Sequence, residues 1–390
     1  MFCFPEDESD MNDPATGRAA AVEQPRPMVE LRHVSKRFGG FTALVDVDLQ
    51  VARGEFLTLL GPSGSGKTTL LNMIAGMTPP TEGQVFIDGR DATSLPPAER
   101  DLGMVFQNYA LMPHMTVFDN IAFPLKVRKV PRGEIAERVQ RALDLIRLPD
   151  VGRRKPKELS GGQQQRVSLA RCIVYNPALI LLDEPLGALD KKLREQMQLE
   201  IKRIHSELGI TMINVTHDQD EALTLSDRIV LMNRGRIEQH CAPEELYFRP
   251  RTVFAADFMG EANLLDAEVA DATGTHVRLD WAHGALLAPR PTHTQERLQR
   301  GDRVVVLVRP ECVSMGQGEA GDENRVAGRL RDSIVLGGVV KHYVTLPDGK
   351  ELIVQQPNHV RRSAGFAGQD VHLAWQAHDA LVLQAGSQPS

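Results

Sequence analysis

The sequence predicts an α/β domain, with helices around a mixed sheet, followed by an all-β domain. Three observations support this fold class. Short apolar runs of strand length alternate with helix-length amphipathic segments between residues 56 and 232. A glycine-rich stretch, residues 61–68, joins one of those runs to a helix. Beyond about residue 260, short alternating segments separated by tight turns replace the helices.

Bulk composition sets the broad class. A chain of 390 residues with 42% apolar and 25% charged residues has the size and balance of a soluble protein of two or three domains. Its net charge of −6 argues against a nucleic-acid partner. We find no apolar run of membrane-spanning length and no secretory signal, so we expect the protein to stay in the cytoplasm. Four widely spaced cysteines predict free thiols.

Composition shifts along the chain divide it into segments. Residues 1–27 are acidic and rich in Pro and Ala, which predicts a disordered lead-in. We expect a first domain over residues 28–260, with a helical insertion at about residues 108–176 outside the main sheet. Residues 261–390 would form the second domain.

Within the first domain, residues 29–33 and the strictly alternating residues 45–51 predict strands of an antiparallel layer beside the main sheet. Residues 56–60 form an apolar strand, and residues 69–77 a helix that ends at Thr78-Pro79-Pro80. Further strands are expected at 84–87 and 102–106. Helices follow at 120–125 and 134–148.

The glycine-rich stretch fits the phosphate-loop pattern G-x-x-x-x-G-K-[ST] at every fixed position. Its glycines let backbone N–H groups converge on an anion, and the following helix adds its positive end. Lys67 is placed to reach the β- and γ-phosphates, and the Thr68 hydroxyl to bind Mg²⁺. The loop therefore predicts a nucleoside triphosphate site, without indicating what its hydrolysis drives.

Polar groups follow two later strands. Ser160 is a good N-cap for a helix that runs to about Tyr175. The apolar strand 178–182 then delivers Asp183 and Glu184 to its carboxyl end, where one carboxylate can support the metal and the other can act on the attacking water. After an amphipathic helix at 193–208, strand 212–215 leads to His217. Strand 229–232 completes the core, and short helices at 243–248 and 253–259 close the domain.

The second domain shows only strand patterns. Residues 303–309, 340–346, 352–354, 371–375 and 381–383 are strand candidates separated by turns such as residues 347–350. Several short strands in about 130 residues predict a small OB-type barrel.

These motifs together resemble the ATP-binding-cassette (ABC) ATPases, a family of phosphate-loop NTPases. The diagnostic stretch is Leu159-Ser160-Gly161-Gly162-Gln163, which lies ahead of Leu179-Ile180-Leu181-Leu182-Asp183-Glu184-Pro185. Gln107, His217 and Leu189-Asp190 match three further motifs, and Phe38 matches the aromatic residue that stacks on adenine.

The resemblance implies a role for each matching position. Glu184 would be the base for the attacking water, His217 would contact the γ-phosphate, and Gln107 would sense the γ-phosphate and the metal. Mg²⁺ would be held by Thr68, Gln107 and Asp183. ATP would be bound by Phe38, by Asp183 and by the loop residues Gly61, Pro62, Ser63, Gly64, Ser65, Gly66, Lys67, Thr68 and Thr69.

In the family, the equivalents of Ser160, Gly161, Gly162 and Gln163 close over ATP held by a second copy, which implies a homodimer with two sandwiched nucleotides. One departure is visible, because Gly187 stands where importer relatives usually carry serine. That loop crosses the dimer interface in the family, so a cross-site hydrogen bond is in question.

The C-terminal region narrows the resemblance to one group within the family. Val308-Arg309-Pro310-Glu311 within a β-rich region resembles the transport-associated OB (TOBE) domain of solute importers, and residues 254–265 and 343–354 are most similar to spermidine/putrescine import ATPases. This implies two membrane permease partners, a periplasmic solute-binding protein and a place on the cytoplasmic face of the bacterial inner membrane. Residues 107–124, including Tyr109, Leu111, Pro113 and His114, would either receive a short permease helix or form subdomain core.

Several alternatives stay open at this point. Ferric-iron, sulfate and sugar importers share the same architecture, and the solute is selected by partner proteins. A cassette ATPase acting on nucleic acid is a second class, since OB-type barrels can bind oligonucleotides. The negative net charge and 5% aromatic content argue against it. The Leu159–Gln163 stretch argues against a phosphate-loop kinase.

Overall fold

A computed structural model describes residues 26–187, 189–291, 298–316, 323–358 and 367–385. The predicted disordered lead-in, residues 1–27, lies almost wholly outside these ranges. Within them, no helix combines the length and the apolar character that crossing a membrane requires.

The centre of the first domain is a six-stranded sheet in the order β10-β9-β3-β8-β7-β6, parallel except for the β9–β10 pair. Its inner strands read as continuous apolar runs because helices and a second sheet cover both faces. The strands are β3 (Phe56–Leu60), β6 (Gly103–Val105), β7 (Leu179–Asp183), β8 (Thr211–Thr216), β9 (Arg228–Asn233) and β10 (Arg236–Cys241).

A separate four-stranded antiparallel sheet packs on one face of the core, which confirms the predicted antiparallel layer. Its order is β2-β1-β4-β5. The strands are β1 (Val29–Phe38), β2 (Phe41–Val51), β4 (Glu82–Ile87) and β5 (Arg90–Asp91).

Three helices, α2 to α4, bury their apolar faces in a cluster beside β6 and β7 and extend the domain beyond the sheet. They correspond to the expected helical insertion, whose limits stay a prediction. The helices are α1 (Lys67–Ala75), α2 (Val117–Val127), α3 (Arg132–Leu145), α4 (Gly161–Ile173), α5 (Lys191–Leu208), α6 (Gln219–Leu225), α7 (Pro243–Phe248) and α8 (Val253–Phe258).

Several strands and one helix were not predicted from the sequence, among them β10 and α6 in the first domain. Strand β10 has mixed polarity because it lies at the sheet edge, where one side is open, and it pairs with β9 through the turn at Arg234-Gly235. Helix α6 has only seven residues, too few to show a clear helical period.

The second domain is all-β and consists of two five-stranded sheets around one core, in agreement with the predicted fold class. One has the order β13-β12-β11-β14-β20 and the other β15-β19-β16-β17-β18. The strands are β11 (Asn263–Asp271), β12 (His276–Trp281), β13 (Gly284–Pro289), β14 (Arg303–Val308), β15 (Ser314–Gly316), β16 (Asn324–Leu336), β17 (Val339–Thr345), β18 (Glu351–Pro357), β19 (Asp370–Trp375) and β20 (Ala380–Gln384).

Two buried asparagines join these sheets. Asn324 accepts a hydrogen bond from the Leu287 N–H at 2.7 Å and donates to the Leu287 carbonyl at 3.0 Å. Asn263 makes the same pair of bonds with Ile353 at 2.8 Å. Because a buried backbone group without a partner is costly, each asparagine supplies what a continuous ladder would otherwise provide.

Candidate active site

The phosphate loop begins directly after β3 and ends at α1. Gly61, Gly64 and Gly66 have φ of +152°, +80° and +103°, a region that residues with a Cβ rarely adopt. Space is limiting as well. A Cβ on Gly61 would lie 2.3 Å from the Met232 carbonyl oxygen, and one on Gly66 would lie 2.7 Å from the Ala43 carbonyl oxygen. The glycines are therefore required for the loop's conformation and for its close packing under β2 and β9.

Lys67 lies against the loop that precedes it. Its Nζ donates hydrogen bonds to the carbonyl oxygens of Gly61, at 2.7 Å, and Pro62, at 2.9 Å. Burial lowers the pKa of Lys67, and the charge of Glu184 opposes that shift. The Lys67 ammonium group therefore lies within the curve of the loop, where the charge of Glu184 reaches it.

Four parallel strands bring the other predicted residues to the same edge of the sheet. Their carboxyl ends point one way because β3, β8, β7 and β6 are parallel neighbours. Gln107 follows β6, Asp183 ends β7 with Glu184 directly after it, and His217 follows β8.

Glu184 is the centre of this group. Its Oε2 accepts a hydrogen bond from Gln107 Nε2 at 3.4 Å, and its Oε1 lies 3.3 Å from His217 Nδ1. The Glu184 backbone has a φ of +45°, which a glutamate adopts only when its surroundings enforce it. Burial raises the pKa of Asp183, and the neighbouring Glu184 charge raises it further. A cation between the loop and β7 would relieve that repulsion.

The donor set fits Mg²⁺ and a triphosphate. Mg²⁺ prefers oxygen ligands, and the exposed Thr68 hydroxyl, the Asp183 carboxylate and the Gln107 amide oxygen supply them. The loop supplies backbone N–H groups, the Lys67 ammonium and the N-terminus of α1 for the phosphates.

The remaining predicted residues lie apart from this group. Ser160 caps α4 through a reciprocal pair with Gln163, with the Ser160 N–H donating to Gln163 Oε1 at 3.0 Å. Gly161 and Gly162 pack against Leu189 and Leu193. Among the described residues, no hydrogen bond or ion pair joins this helix tip to residues 61–69. Phe38, at the end of β1, is 50% exposed and contacts the Lys36 ammonium at 4.9 Å from the ring centre.

The stretch between β6 and α2 contains buried residues, as expected of subdomain core, and exposed residues, as expected of a groove for a permease helix. Tyr109 is buried and belongs to the helical core, whereas Pro113 and His114 are exposed. Leu111 is partly buried against that core. The receiving groove therefore stays a prediction for the exposed part of the stretch only.

Sequence reasoning missed a second layer of polar residues behind His217, namely Thr216, Asp218, Glu221 and Arg194. Asp218 and Glu221 could have been found, because an aspartate followed three residues later by a glutamate is typical of a helix N-terminus. The contact of Arg194 with Asp218 joins two elements and has no local signature.

Comparisons with known proteins agree with this geometry. The family model of the ABC transporter matches residues 44–187, and that of the TOBE domain matches residues 306–383. The dimeric structure of MJ0796, a bacterial ABC transporter cassette, is 37% identical with a TM-score of 0.50, and the match covers 55% of this chain and 99% of that one. That of cbiO1 from Clostridium perfringens, part of the ABC transporter complex cbiONQ, is 28% identical with a TM-score of 0.54, covering 57% and 90%.

Full-length relatives cover both domains. The spermidine/putrescine import ATP-binding protein PotA of Rubrobacter xylanophilus is 48% identical over 371 residues, which is 95% of this chain and 97% of the relative. The protein of the same name from Pseudomonas aeruginosa is 47% identical over 364 residues, or 92% and 99%. The chain therefore belongs to the ABC transporter family of ATP-binding import proteins, in the branch whose curated members share that name.

Proposed function

We propose that this protein is the ATP-hydrolysing subunit of an importer for polyamines such as spermidine and putrescine. One observation carries the ATPase part of the proposal. Gln107, Glu184 and His217 converge at 3.3 to 3.4 Å at the sheet edge where the phosphate loop also opens. The polyamine part rests on the shared name of relatives that match over both domains.

Each residue has a task in this mechanism. The loop amides and Lys67 hold the triphosphate, and Thr68, Asp183 and Gln107 hold Mg²⁺, which neutralises phosphate charge when bound. Glu184 takes a proton from the attacking water, because it lies at the sheet edge beside the phosphate loop and Gln107 and His217 hold its carboxylate in place. His217 orients Glu184 and would itself contact the γ-phosphate.

We further propose that two copies act together. The tip of α4, with Ser160 to Gln163, would contact ATP bound to the partner, because a helix N-terminus with small residues offers N–H groups to phosphate. Hydrolysis would then depend on closure of the dimer. The two permeases, the periplasmic solute-binding protein and the site at the cytoplasmic face of the inner membrane belong to the same proposal.

Polyamine uptake by intact cells tests the proposed function. Deleting the gene should abolish uptake of radiolabelled spermidine, and the wild-type gene should restore it. A gene carrying Glu184→Gln should not restore uptake, whereas Glu195→Gln, a matched exposed acid on α5, should. If the deletion strain keeps its polyamine uptake but loses uptake of iron, sulfate or a sugar, the assignment of polyamines as the solute is wrong. ATPase activity stimulated by RNA and indifferent to permeases would contradict the transport role.

A further inference from the structure

Glu221, in the first turn of α6, is a buried carboxylate that the proposed reaction does not use. It is 2% exposed. Its Oε1 accepts a hydrogen bond from Asn214 Nδ2 at 2.9 Å, and its Oε2 accepts one from Thr216 Oγ1 at 3.0 Å. A buried carboxylate is stable only when such bonds replace its hydration, so both donors are held in place by it as well.

These bonds form a closed circuit around His217. The Thr216 hydroxyl, which donates to Glu221, also accepts from the Asp218 N–H at 3.0 Å. Asp218 Oδ1 in turn accepts from the Glu221 N–H at 3.0 Å. The Glu221 carboxylate therefore holds Thr216 directly, and Asp218 is tied to it through the Thr216 hydroxyl and to the Glu221 backbone N–H. The residues on both sides of His217 are fixed in this way, which limits where the imidazole can lie.

Arg194 extends the circuit to the loop after Glu184. Its guanidinium donates to Asp218 Oδ2 at 2.9 Å and to the Leu189 carbonyl oxygen at 3.1 Å. Glu184, Gly187, Arg194, His217 and Glu221 line a shared cavity of about 40 Å³. This volume admits water but not a nucleotide, so Glu221 faces the cavity wall shared with Glu184 and His217 and not a bound ATP.

We propose that Glu221 is a positioning residue for ATP hydrolysis, whose carboxylate holds the Thr216 hydroxyl, and through it the Asp218 backbone N–H, and thereby fixes His217 against Glu184. The inference rests on the proposed function and adds a residue that does not touch the nucleotide. Its loss slows the chemical step without weakening ATP binding, because no hydrogen bond joins residues 61–68 to the circuit among the described residues.

Ionisation adds a distinguishing signature. Burial raises the pKa of Glu221 to about 7, although its two hydrogen bonds lower it. The charged groups that face it are Asp218, which raises the pKa, and Arg194, which lowers it, while Glu184 and His217 share the cavity wall. When Glu221 is protonated, its own O–H points into a site where the Asn214 amide and the Thr216 hydroxyl already donate. One of these two hydrogen bonds is therefore lost below pH 7.

The experiment compares Glu221→Gln with wild type and with Asp220→Asn, a matched exposed acid on the same helix. ATPase kcat and KM are measured from pH 6 to 8.5. At pH 8.5 the Glu221→Gln kcat should be at least fivefold lower with KM within twofold, and the ratio to wild type should approach one at pH 6. Asp220→Asn should match wild type throughout.

Equal kcat for Glu221→Gln and wild type at pH 8.5 would overturn the inference, and so would a loss independent of pH. If Glu221→Gln does not fold, Thr216→Val removes the bridging hydroxyl at nearly constant volume and must show the same selective loss of kcat. Glu184→Gln separates this inference from the proposed function. Full activity of Glu184→Gln contradicts the proposed function, whereas an inactive Glu184→Gln beside an unaffected Glu221→Gln contradicts only the positioning role.

Discussion

Replacing Gly187 with serine should tighten the ATP-bound dimer without disturbing the fold. The φ of Gly187 lies outside the left-handed region, so a side chain is allowed there. An added Cβ would lie 3.6 Å from the Glu184 carbonyl oxygen, 3.8 Å from Gln107 Nε2 and 3.9 Å from Glu184 Oε2. These are ordinary van der Waals distances, and the melting temperature should change by no more than about 2 °C.

The magnitude follows from the number of hydrogen bonds gained. A serine hydroxyl in each copy would restore one bond across the interface that the family resemblance implies. At about 0.5 to 1.5 kcal/mol per bond, two bonds give roughly 1 to 3 kcal/mol. The dissociation constant of the dimer should therefore fall by roughly 5- to 150-fold.

Sedimentation equilibrium with Mg²⁺ and ATP measures this constant, with Glu184→Gln in every protein to prevent cleavage. Gly187→Ala is the control, since it adds the Cβ without the hydroxyl. A serine variant that dimerises no more tightly than the alanine variant would refute the reasoning, as would a melting temperature lowered by more than about 5 °C.

Three further predictions concern other parts of the molecule. Lys67→Ala should weaken binding of a fluorescent ATP analogue by roughly 100-fold, because a charge-assisted pair of bonds is lost; affinity within threefold of wild type would contradict this. Asn324→Ala should lower the free energy of unfolding by roughly 2 to 4 kcal/mol in calorimetry, since both bonds to Leu287 disappear; a change below about 0.5 kcal/mol would contradict it. Glu221 has a folded pKa of about 7 against 4.5 in the unfolded chain, so its contribution to stability is present below pH 4.5 and is lost as pH rises through 7. The stability of Glu221→Gln relative to wild type should therefore improve by on the order of 2 kcal/mol between pH 5 and pH 8, and an unchanged difference would count against the raised pKa.

The sequence predicted those features that depend on local pattern. The phosphate loop is recognisable because its glycines and Lys67 have fixed spacing, and the sheet edge is recognisable because buried parallel strands read as apolar runs. Asp183, Glu184 and His217 could be placed together for that reason, since each follows such a strand.

Contacts between residues that lie far apart in the sequence could not be predicted from it. The contact of Arg194 with Asp218 and the bonds of Asn324 with Leu287 depend on tertiary packing, and nothing in the neighbouring residues indicates either one. Strand β10 was missed because an edge strand need not be apolar on both faces. The close fit of Gly187 beside Gln107 and Glu184 likewise needs coordinates, although its departure from the family pattern was visible in the sequence.

The central claim is that two copies enclose ATP between the phosphate loop of one and the Ser160 helix tip of the other. The most direct measurement is the mass of purified Glu184→Gln protein in solution, with and without Mg²⁺ and ATP, by light scattering. The account predicts a monomer without nucleotide and a dimer with two bound ATP molecules. A protein that binds ATP and stays monomeric would contradict it.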